Sequence, residues 1–467
     1  MLFNSMFFGC FLILVLVGYW TLTQKHRWIL LLVASYLFYI SWNPAYLTVL
    51  IGTTLFNYSC SRWFLNSPND SRNFYGMLLI IFVNLGALFS FKYLNLFTFE
   101  SLSPPSWTGM EFSQESGFPI GLSFYTFQSL SYCFDLYRRK VPVEKHLGKF
   151  ALFVAFFPQL LAGPIERAGK LLPQLNAKTM AFDLSVFGSG VGLFLWGLFK
   201  KVVVADNIAN YLAPILNSET ELSPENWLIA IYLYPFQLYG DFSGYSDMAV
   251  GMGRMMGIQL SPNFNRPYFA VSIHDFWRRW HISLTRWFSD YLFTPLALLW
   301  RNYGKIGIFL SILITFALSG VWHEASLNFL CWGLLNGCYL IFEQWIKLKW
   351  PENTFLRPLR ILWIFHLVAF SFLFLITRDF EQSISVMKEL PNVDLNAFGD
   401  ILSLLKSSNL AIGVFLLLLV EIFLYERKAQ LFRQQKIWLK GLVYSFLILC
   451  IVLFGNDAGS PFIYLRF

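Results

Sequence analysis

Charge is what this sequence lacks. Only 13% of its 467 residues are Asp, Glu, Lys or Arg, against roughly 25% in an ordinary soluble domain. Together with 56% hydrophobic residues and a mean hydropathy of +0.53, that scarcity excludes a soluble enzyme and defines a membrane composition. Histidine is scarce too, six in all, and no His-x-x-x-His pair occurs, so a metal site is not expected. Glycine-rich phosphate loops of the GxGxxG or GxxxxGK[ST] kind are missing, and Gly251-Met252-Gly253 alone does not make one. None of the six cysteines (Cys10, Cys60, Cys133, Cys331, Cys338 and Cys450) sits in a CxxC pair, and nearly all lie in apolar runs; they read as reduced, buried, small apolar residues. Internal repeats and low-complexity tracts are absent as well. The net charge of +8 does not point to nucleic acid, because Lys and Arg fall in short clusters between apolar runs, as cytoplasmic loops do. The lipid bilayer is the expected partner, and nucleic acid is not.

What is present is apolar and aromatic, with 51 Phe, 22 Tyr and 17 Trp. A helix needs about 20 largely apolar residues to cross the bilayer. Candidate stretches lie near 4–22, 28–41, 45–61, 75–97, 117–136, 148–163, 183–204, 225–245, 305–321, 326–346, 359–377, 408–425 and 439–455. The first lacks a basic leader and an A-x-A site, so it reads as a retained helix. The stretch 148–163 contains Pro158 and ends at Gly163-Pro164, which predicts a broken or re-entrant helix. Lys25 and Arg27, Arg62 and Arg72, and the run Arg138-Arg139-Lys140 mark cytoplasmic loops. The opposite loops agree: residues 98–117 carry three Glu and no Lys or Arg, and 378–407 hold five acidic and three basic residues. The chain reads as one membrane-embedded domain, with N-terminal helices over 1–117, a core over 118–346 and C-terminal helices over 347–467.

The region 249–304 breaks the alternation, with Arg254, Arg266, Arg278, Arg279 and Arg286 set among aromatics. Divided by Pro262, Pro267 and Pro295, it predicts short interfacial or re-entrant helices on the cytoplasmic side. Inside it, a helical reading puts Trp277, Trp280, His281 and Leu284 on one face. Arg278 and Arg279 read either as snorkelling anchors or as groups that meet an anionic donor.

His323, in Gly320-Val321-Trp322-His323-Glu324, interrupts an apolar stretch from about Ile306 to Phe342. An unpaired polar group in hydrocarbon costs roughly 2–7 kcal/mol, so this histidine either bonds a neighbouring helix or does chemistry. Near neutral pH an imidazole takes a proton from a hydroxyl and returns one to a leaving group. Trp322 and Trp332 would exclude water from it, and Glu324 would orient it or pair with a cation. Asp241 and Asp247, in a segment of small residues, would pair with arginines of the basic region or hold an acceptor hydroxyl. Gln159, in Pro158-Gln159-Leu160-Leu161-Ala162-Gly163-Pro164, lies where a helix break reads equally as a kink or as the lining of a substrate tunnel.

Several ordered blocks carry a resemblance. Gly240-Asp241-Phe242-Ser243-Gly244-Tyr245-Ser246-Asp247, Asn263-Phe264-Asn265-Arg266-Pro267-Tyr268, Phe276-Trp277-Arg278-Arg279-Trp280-His281-Ile282-Ser283, Trp322-His323 and Ser460-Pro461-Phe462-Ile463-Tyr464 resemble the membrane-bound O-acyltransferase superfamily. They are most similar to its bacterial branch of alginate O-acetyltransferase membrane components, from about Phe118 to the C-terminus. The resemblance implies an all-α polytopic bundle of roughly eleven spanning helices with re-entrant and interfacial helices around a tunnel. It implies that His323 is the catalytic histidine and His281 its upstream partner; the residues themselves offer Trp322, Glu324, Trp280, Arg278, Arg279, Asp241, Asp247 and Gln159 as candidates along the substrate path. One position departs: the branch commonly has Gly after the Trp-His pair, where this chain has Glu324.

The implied activity moves an acetyl group from a cytosolic donor, acetyl-CoA, across the bacterial cytoplasmic membrane to hydroxyls of an exported polysaccharide, with a periplasmic partner protein and no bound cofactor. Peptidoglycan or lipopolysaccharide O-acetylation, D-alanylation of teichoic acid, and a non-enzymatic transporter or flippase are the alternatives.

Overall fold

In the computed structural model, residues 1–65, 67, 69–92, 119–177, 181–217, 222–346, 356–394, 409–423, 437–456 and 462–463 are described, and their regular elements are helical. In chain order the α-helices are α1 (Met6–Thr21), α2 (Gln24–Ile40), α3 (Pro44–Trp63), α4 (Asp70–Lys92), α5 (Leu122–Tyr137), α6 (Leu147–Ala155), α7 (Ala168–Leu175), α8 (Leu184–Phe199), α9 (Asp206–Leu216) and α10 (Pro224–Met255). The second half continues with α11 (Ile273–Trp277), α12 (Ile282–Phe288), α13 (Thr294–Leu299), α14 (Gly304–His323), α15 (Leu327–Ile346), α16 (Arg357–Ser371), α17 (Leu373–Ile376), α18 (Phe380–Glu389), α19 (Asn409–Phe423) and α20 (Ile437–Phe454). The expected acidic loop 98–117 lies outside the described residues.

Each expected apolar stretch carries helix. Among the described residues, four continuous helical stretches are long and apolar enough to cross a membrane: Asp70–Lys92, Leu184–Leu216, Arg301–His323 and Arg357–Ile376. Three shorter apolar helices, Met6–Thr21, Leu410–Ile422 and Trp438–Phe454, accompany them, and α5 is more polar. Its buried residues include Ser123, Thr126, Gln128, Ser129, Ser131 and Asp135, and a helix enclosed by protein does not need a lipid-like surface. The break expected in 148–163 is present. The α6 helix stops at Ala155, before Pro158 would drive its ring into a helical carbonyl. The buried chain then satisfies itself through bonds from Leu160 N to Phe156 O (3.1 Å) and from Gly163 N to Gln159 O (2.9 Å). Cysteine burial is only partly as expected: Cys60, Cys133 and Cys450 are buried, but Cys10 and Cys338 are exposed on the outer faces of α1 and α15.

Two compact units emerge from the contacts, and α8 and α10 contribute residues to both. The first comprises Met1–Phe194 and Tyr245–Pro262. Its core is aromatic, with Phe8 packed edge-on against Phe38 at 5.8 Å. Asn57 of α3 and Asn84 of α4 exchange amide hydrogen bonds of 3.0 and 2.8 Å, the paired form in which such groups are tolerated in a core. Buried Glu166 accepts from the backbone N–H and the hydroxyl of Ser261.

The second unit comprises Leu195–Gly244 and Asn263–Ile463. Its spine is the antiparallel hairpin of α14 and α15. The backbones cross closely because Gly320 and Gly333 carry no side chain: a Cβ on either would meet the carbonyl oxygen of Phe329 or Phe316. Between α8 and α9 the chain widens into a π-helical turn, Lys200–Ala205, a local expansion that re-aims side chains within an otherwise continuous helix.

Candidate active site

Trp322, His323 and Glu324 lie at the end of α14, where the α14–α15 hairpin turns. His323 is the last helical residue of α14, and Glu324 leaves the helix in an extended conformation while its N–H still bonds Gly320 O at 3.2 Å. The close crossing at Gly320 sets His323 among rings: Trp322 at 4.4 Å, Trp332 edge-on at 5.6 Å and Phe329 at 6.2 Å between centroids. His323 and Trp322 are half-buried and Glu324 is exposed. The tight packing beside the histidine therefore comes from Gly320, one turn earlier, and the glutamate at 324 does not disturb it.

The expectation of one helix through Trp277, Trp280, His281 and Leu284 is corrected here. The α11 helix, capped by Ser272 Oγ accepting from Asp275 N at 3.0 Å, ends at Trp277, and α12 begins at Ile282. Between them His281 adopts left-handed backbone, φ +41°, a conformation strained for any residue with a Cβ. Asn263 holds it there from the facing segment. Its carbonyl accepts from Ile282 N at 2.8 Å, and its Oδ1 accepts from Ser283 N at 3.1 Å and Ser283 Oγ at 2.9 Å. Asn265 N adds a bond to Arg279 O at 2.9 Å. Strain over-determined by its surroundings is a recurring property of functional positions.

His281 is 2% exposed, edge-on to Phe242 at 4.6 Å and parallel to Phe264 at 6.3 Å. It lies outside the four long apolar stretches, and its burial, aided by the nearby His323 imidazole, holds it well below the ordinary histidine range. A histidine so placed is neutral at physiological pH, with one ring nitrogen to donate and one to accept. The structure thus brings His281 and His323 within electrostatic reach of each other. Trp277 of α11 and Trp332 of α15 also meet, at 6.0 Å.

The other candidates divide. Trp280 is enclosed by Phe264, Phe276 and Phe372 at 5.1, 5.6 and 5.8 Å, a packing role beneath His281. Arg279 Nε pairs with Asp275 at 2.8 Å, whereas Arg278 is exposed. Asp241 was expected to pair with arginines of the basic region or to hold an acceptor hydroxyl. Instead it pairs with Lys201 at 2.7 Å, and the same ammonium holds Asp206 at 2.8 Å. Lys201 lies on the π-helical turn, whose geometry points it inward; two lysines inside an apolar run were the signal available in the sequence. Asp241 Oδ2 also accepts from Ile463 N at 2.8 Å, and its neighbour Phe242 touches His281. Asp247 and Gln159 belong to the first unit. Gln159 is buried there and donates to Phe153 O at 3.2 Å. The importance of Asn263 comes from the left-handed backbone it clamps, which its place in the sequence does not reveal.

A multi-pass helical protein with a buried and a half-buried histidine within electrostatic reach of each other among aromatic rings fits a membrane-embedded group-transfer enzyme. Residues 143–378, which contain both histidines, match MBOAT, the membrane-bound O-acyltransferase family. The chain belongs to that family and is an O-acyltransferase. It is 37% identical to the probable alginate O-acetylase AlgI of Pseudomonas syringae over 369 residues, covering 75% of this chain and 68% of that protein. It is 32% identical to the peptidoglycan O-acetyltransferase of Helicobacter pylori, over 83% of this chain and 79% of that one. The teichoic acid D-alanyltransferase of Bacillus subtilis is 31% identical over 56% of this chain and 70% of its own length.

Proposed function

We propose that this O-acyltransferase moves an acetyl group from cytosolic acetyl-CoA to hydroxyls of an exported cell-surface polysaccharide, in the bacterial cytoplasmic (inner) membrane and with a periplasmic partner protein. The observation that carries this reading is that buried His281, held in its left-handed turn, lies within electrostatic reach of His323 inside the family-matching segment. A bundle of roughly eleven spans around a tunnel would bring donor and acceptor to that pair from opposite sides. Arg278 and Arg286, exposed on the short-helix segment, suit the donor's phosphates. The greater identity to alginate O-acetylases than to the D-alanyltransferase favours acetyl over D-alanyl as the acyl group.

In the proposed step the acceptor oxygen adds to the thioester carbonyl carbon as its proton passes to an imidazole nitrogen of His323. The carbonyl π pair moves onto oxygen. On collapse that pair re-forms the C=O bond, the C–S bond breaks, and the imidazolium returns its proton to the departing thiolate. General base catalysis of this kind contributes roughly 10²–10⁴ in rate. His281 positions the donor.

The test compares mass spectra of surface glycans from cells with the wild-type protein, without it, and with His323→Ala or His323→Gln at equal membrane abundance. Both variants are expected to lose the 42-dalton increment of an acetyl ester, about the mass of C2H2O. Full acetylation in either variant refutes the assignment of His323, and an unchanged glycan in cells lacking the protein refutes the polysaccharide as acceptor.

A further inference from the structure

The transfer proposed above also needs a hydrogen-bond donor for the oxygen that becomes negative when the acceptor adds to the carbonyl, a role given above to neither histidine. We propose that the indole N–H of Trp332, assisted by that of Trp277, is this donor. The inference rests on the His323 reading and extends it to the stabilising groups.

Three observations converge. Trp332 is 5% exposed and meets the His323 ring edge-on at 5.6 Å. Trp277, on a different helix, meets Trp332 at 6.0 Å with the rings inclined by 71°. Neither Nε1 atom, both shielded from solvent, has a hydrogen-bond partner among the described residues. Buried indole N–H groups normally find an acceptor. Two such donors on neighbouring rings, one of them in contact with the half-buried histidine, are explained if the acceptor arrives with the substrate. An acyl carbonyl bound against His323 would bring an oxygen that accepts weakly in the ground state and strongly once it carries the charge. Donors in a water-excluded site that strengthen only as charge develops raise turnover without tightening substrate binding.

The surrounding structure keeps these donors in place. Trp277 is wedged between Phe276 at 5.3 Å and Phe316 at 5.1 Å, and its helix is held at its first residue by Ile273 N bonding the Glu343 carboxylate of α15 at 2.6 Å. Trp332 lies on α15 one turn beyond Asn328, whose amide is tied to Thr377 Oγ1 at 3.2 Å. Both indoles thus refer to α15, the partner of the helix that carries His323. Preorganisation of this kind is what an oxyanion site requires.

The experiment replaces Trp332 in the full-length membrane protein with phenylalanine and, separately, by nonsense suppression, with benzothienylalanine, whose ring has the indole shape with sulfur in place of N–H. Acetyl transfer from acetyl-CoA is measured in purified membranes. Both variants are expected to lose roughly 10²–10³ in kcat, with KM for acetyl-CoA within about twofold of wild type; Trp277→Phe is expected to lose less. If Trp332→Phe fails to accumulate, the isosteric analogue carries the test alone. Wild-type kcat in the analogue overturns the inference. A loss expressed only as raised KM also overturns it, assigning Trp332 to ground-state binding. His323→Ala run in parallel separates the two proposals: an inactive His323→Ala beside an active analogue sinks the oxyanion donor alone, while an active His323→Ala sinks the reading on which it rests.

Discussion

Lys201 offers the sharpest test of how the second unit holds together. Its ammonium lies 2.8 Å from Asp206 and 2.7 Å from Asp241, and the three side chains are 1%, 3% and 3% exposed. One cation therefore serves two buried carboxylates, and the two kinds of deletion are not equivalent. Lys201→Met removes both contacts and leaves two carboxylates facing each other without a counter-ion. Removing one partner of a buried pair costs roughly 3–5 kcal/mol, so the upper end, about 5 kcal/mol, applies. Asp241→Asn leaves a balanced Lys201–Asp206 pair and an amide oxygen still able to accept from Ile463 N. Its cost is that of one charge-assisted bond, about 1.5–3 kcal/mol. The shift is roughly 2–4 °C per kcal/mol for chains of 150–250 residues, and about half that at this size. Lys201→Met should then lower the apparent melting temperature by about 5–10 °C and Asp241→Asn by about 1.5–6 °C. Fluorescence-detected size exclusion after graded heating of detergent-solubilised protein reads both. The triple variant Lys201→Met, Asp206→Asn, Asp241→Asn should recover most of the loss, because charge imbalance is the dominant penalty. A Lys201→Met protein that melts with wild type, or a triple variant no better than the single one, would refute the reasoning.

Two further outcomes follow from the left-handed turn. His281→Asn keeps a residue type that tolerates positive φ, so it should accumulate like wild type while losing transfer; His281→Val should add about 1–2 kcal/mol of backbone strain and reduce the folded yield. Equal yields of the two, measured by size exclusion, would mean that the turn relaxes freely. Asn263→Ala strips the acceptor from Ser283 N–H and Oγ–H and should cost about 1–3 kcal/mol with a matching fall in transfer. Asn263→Asp, which keeps an acceptor oxygen, should restore more activity than stability; activity assays beside melting curves would show whether that order is reversed.

Much of the helical layout was legible because each element is an apolar run bounded by polar residues or proline. The break in 148–163 could be read from Pro158 and Gly163 alone. The bend at His281 could not. Trp277, Trp280, His281 and Leu284 have the spacing of an amphipathic helix, and the left-handed turn that overrides it depends on Asn263, eighteen residues earlier in the chain (281 − 263) and opposite only after folding. Asp241 was visible as an acid among small residues. Its partner was not, because Lys201 sits within a stretch whose hydropathy marks it as a span, and only the π-helical widening turns that side chain inward. His323 stood out because a single imidazole is conspicuous among apolar residues. The indole donors beside it did not, since seventeen tryptophans carry the same signal.

The glycine crossing of α14 and α15 places backbone, rather than side chains, in control of the distance between the two strands of the hairpin. Ring residues lining the His323 side can therefore be exchanged without changing the helix register, while position 320 cannot accept even alanine without moving Phe329. In a family whose relatives are named for alginate, peptidoglycan and teichoic acid, that division would let rings other than Trp277 and Trp332 vary while His323 stays where the backbone puts it.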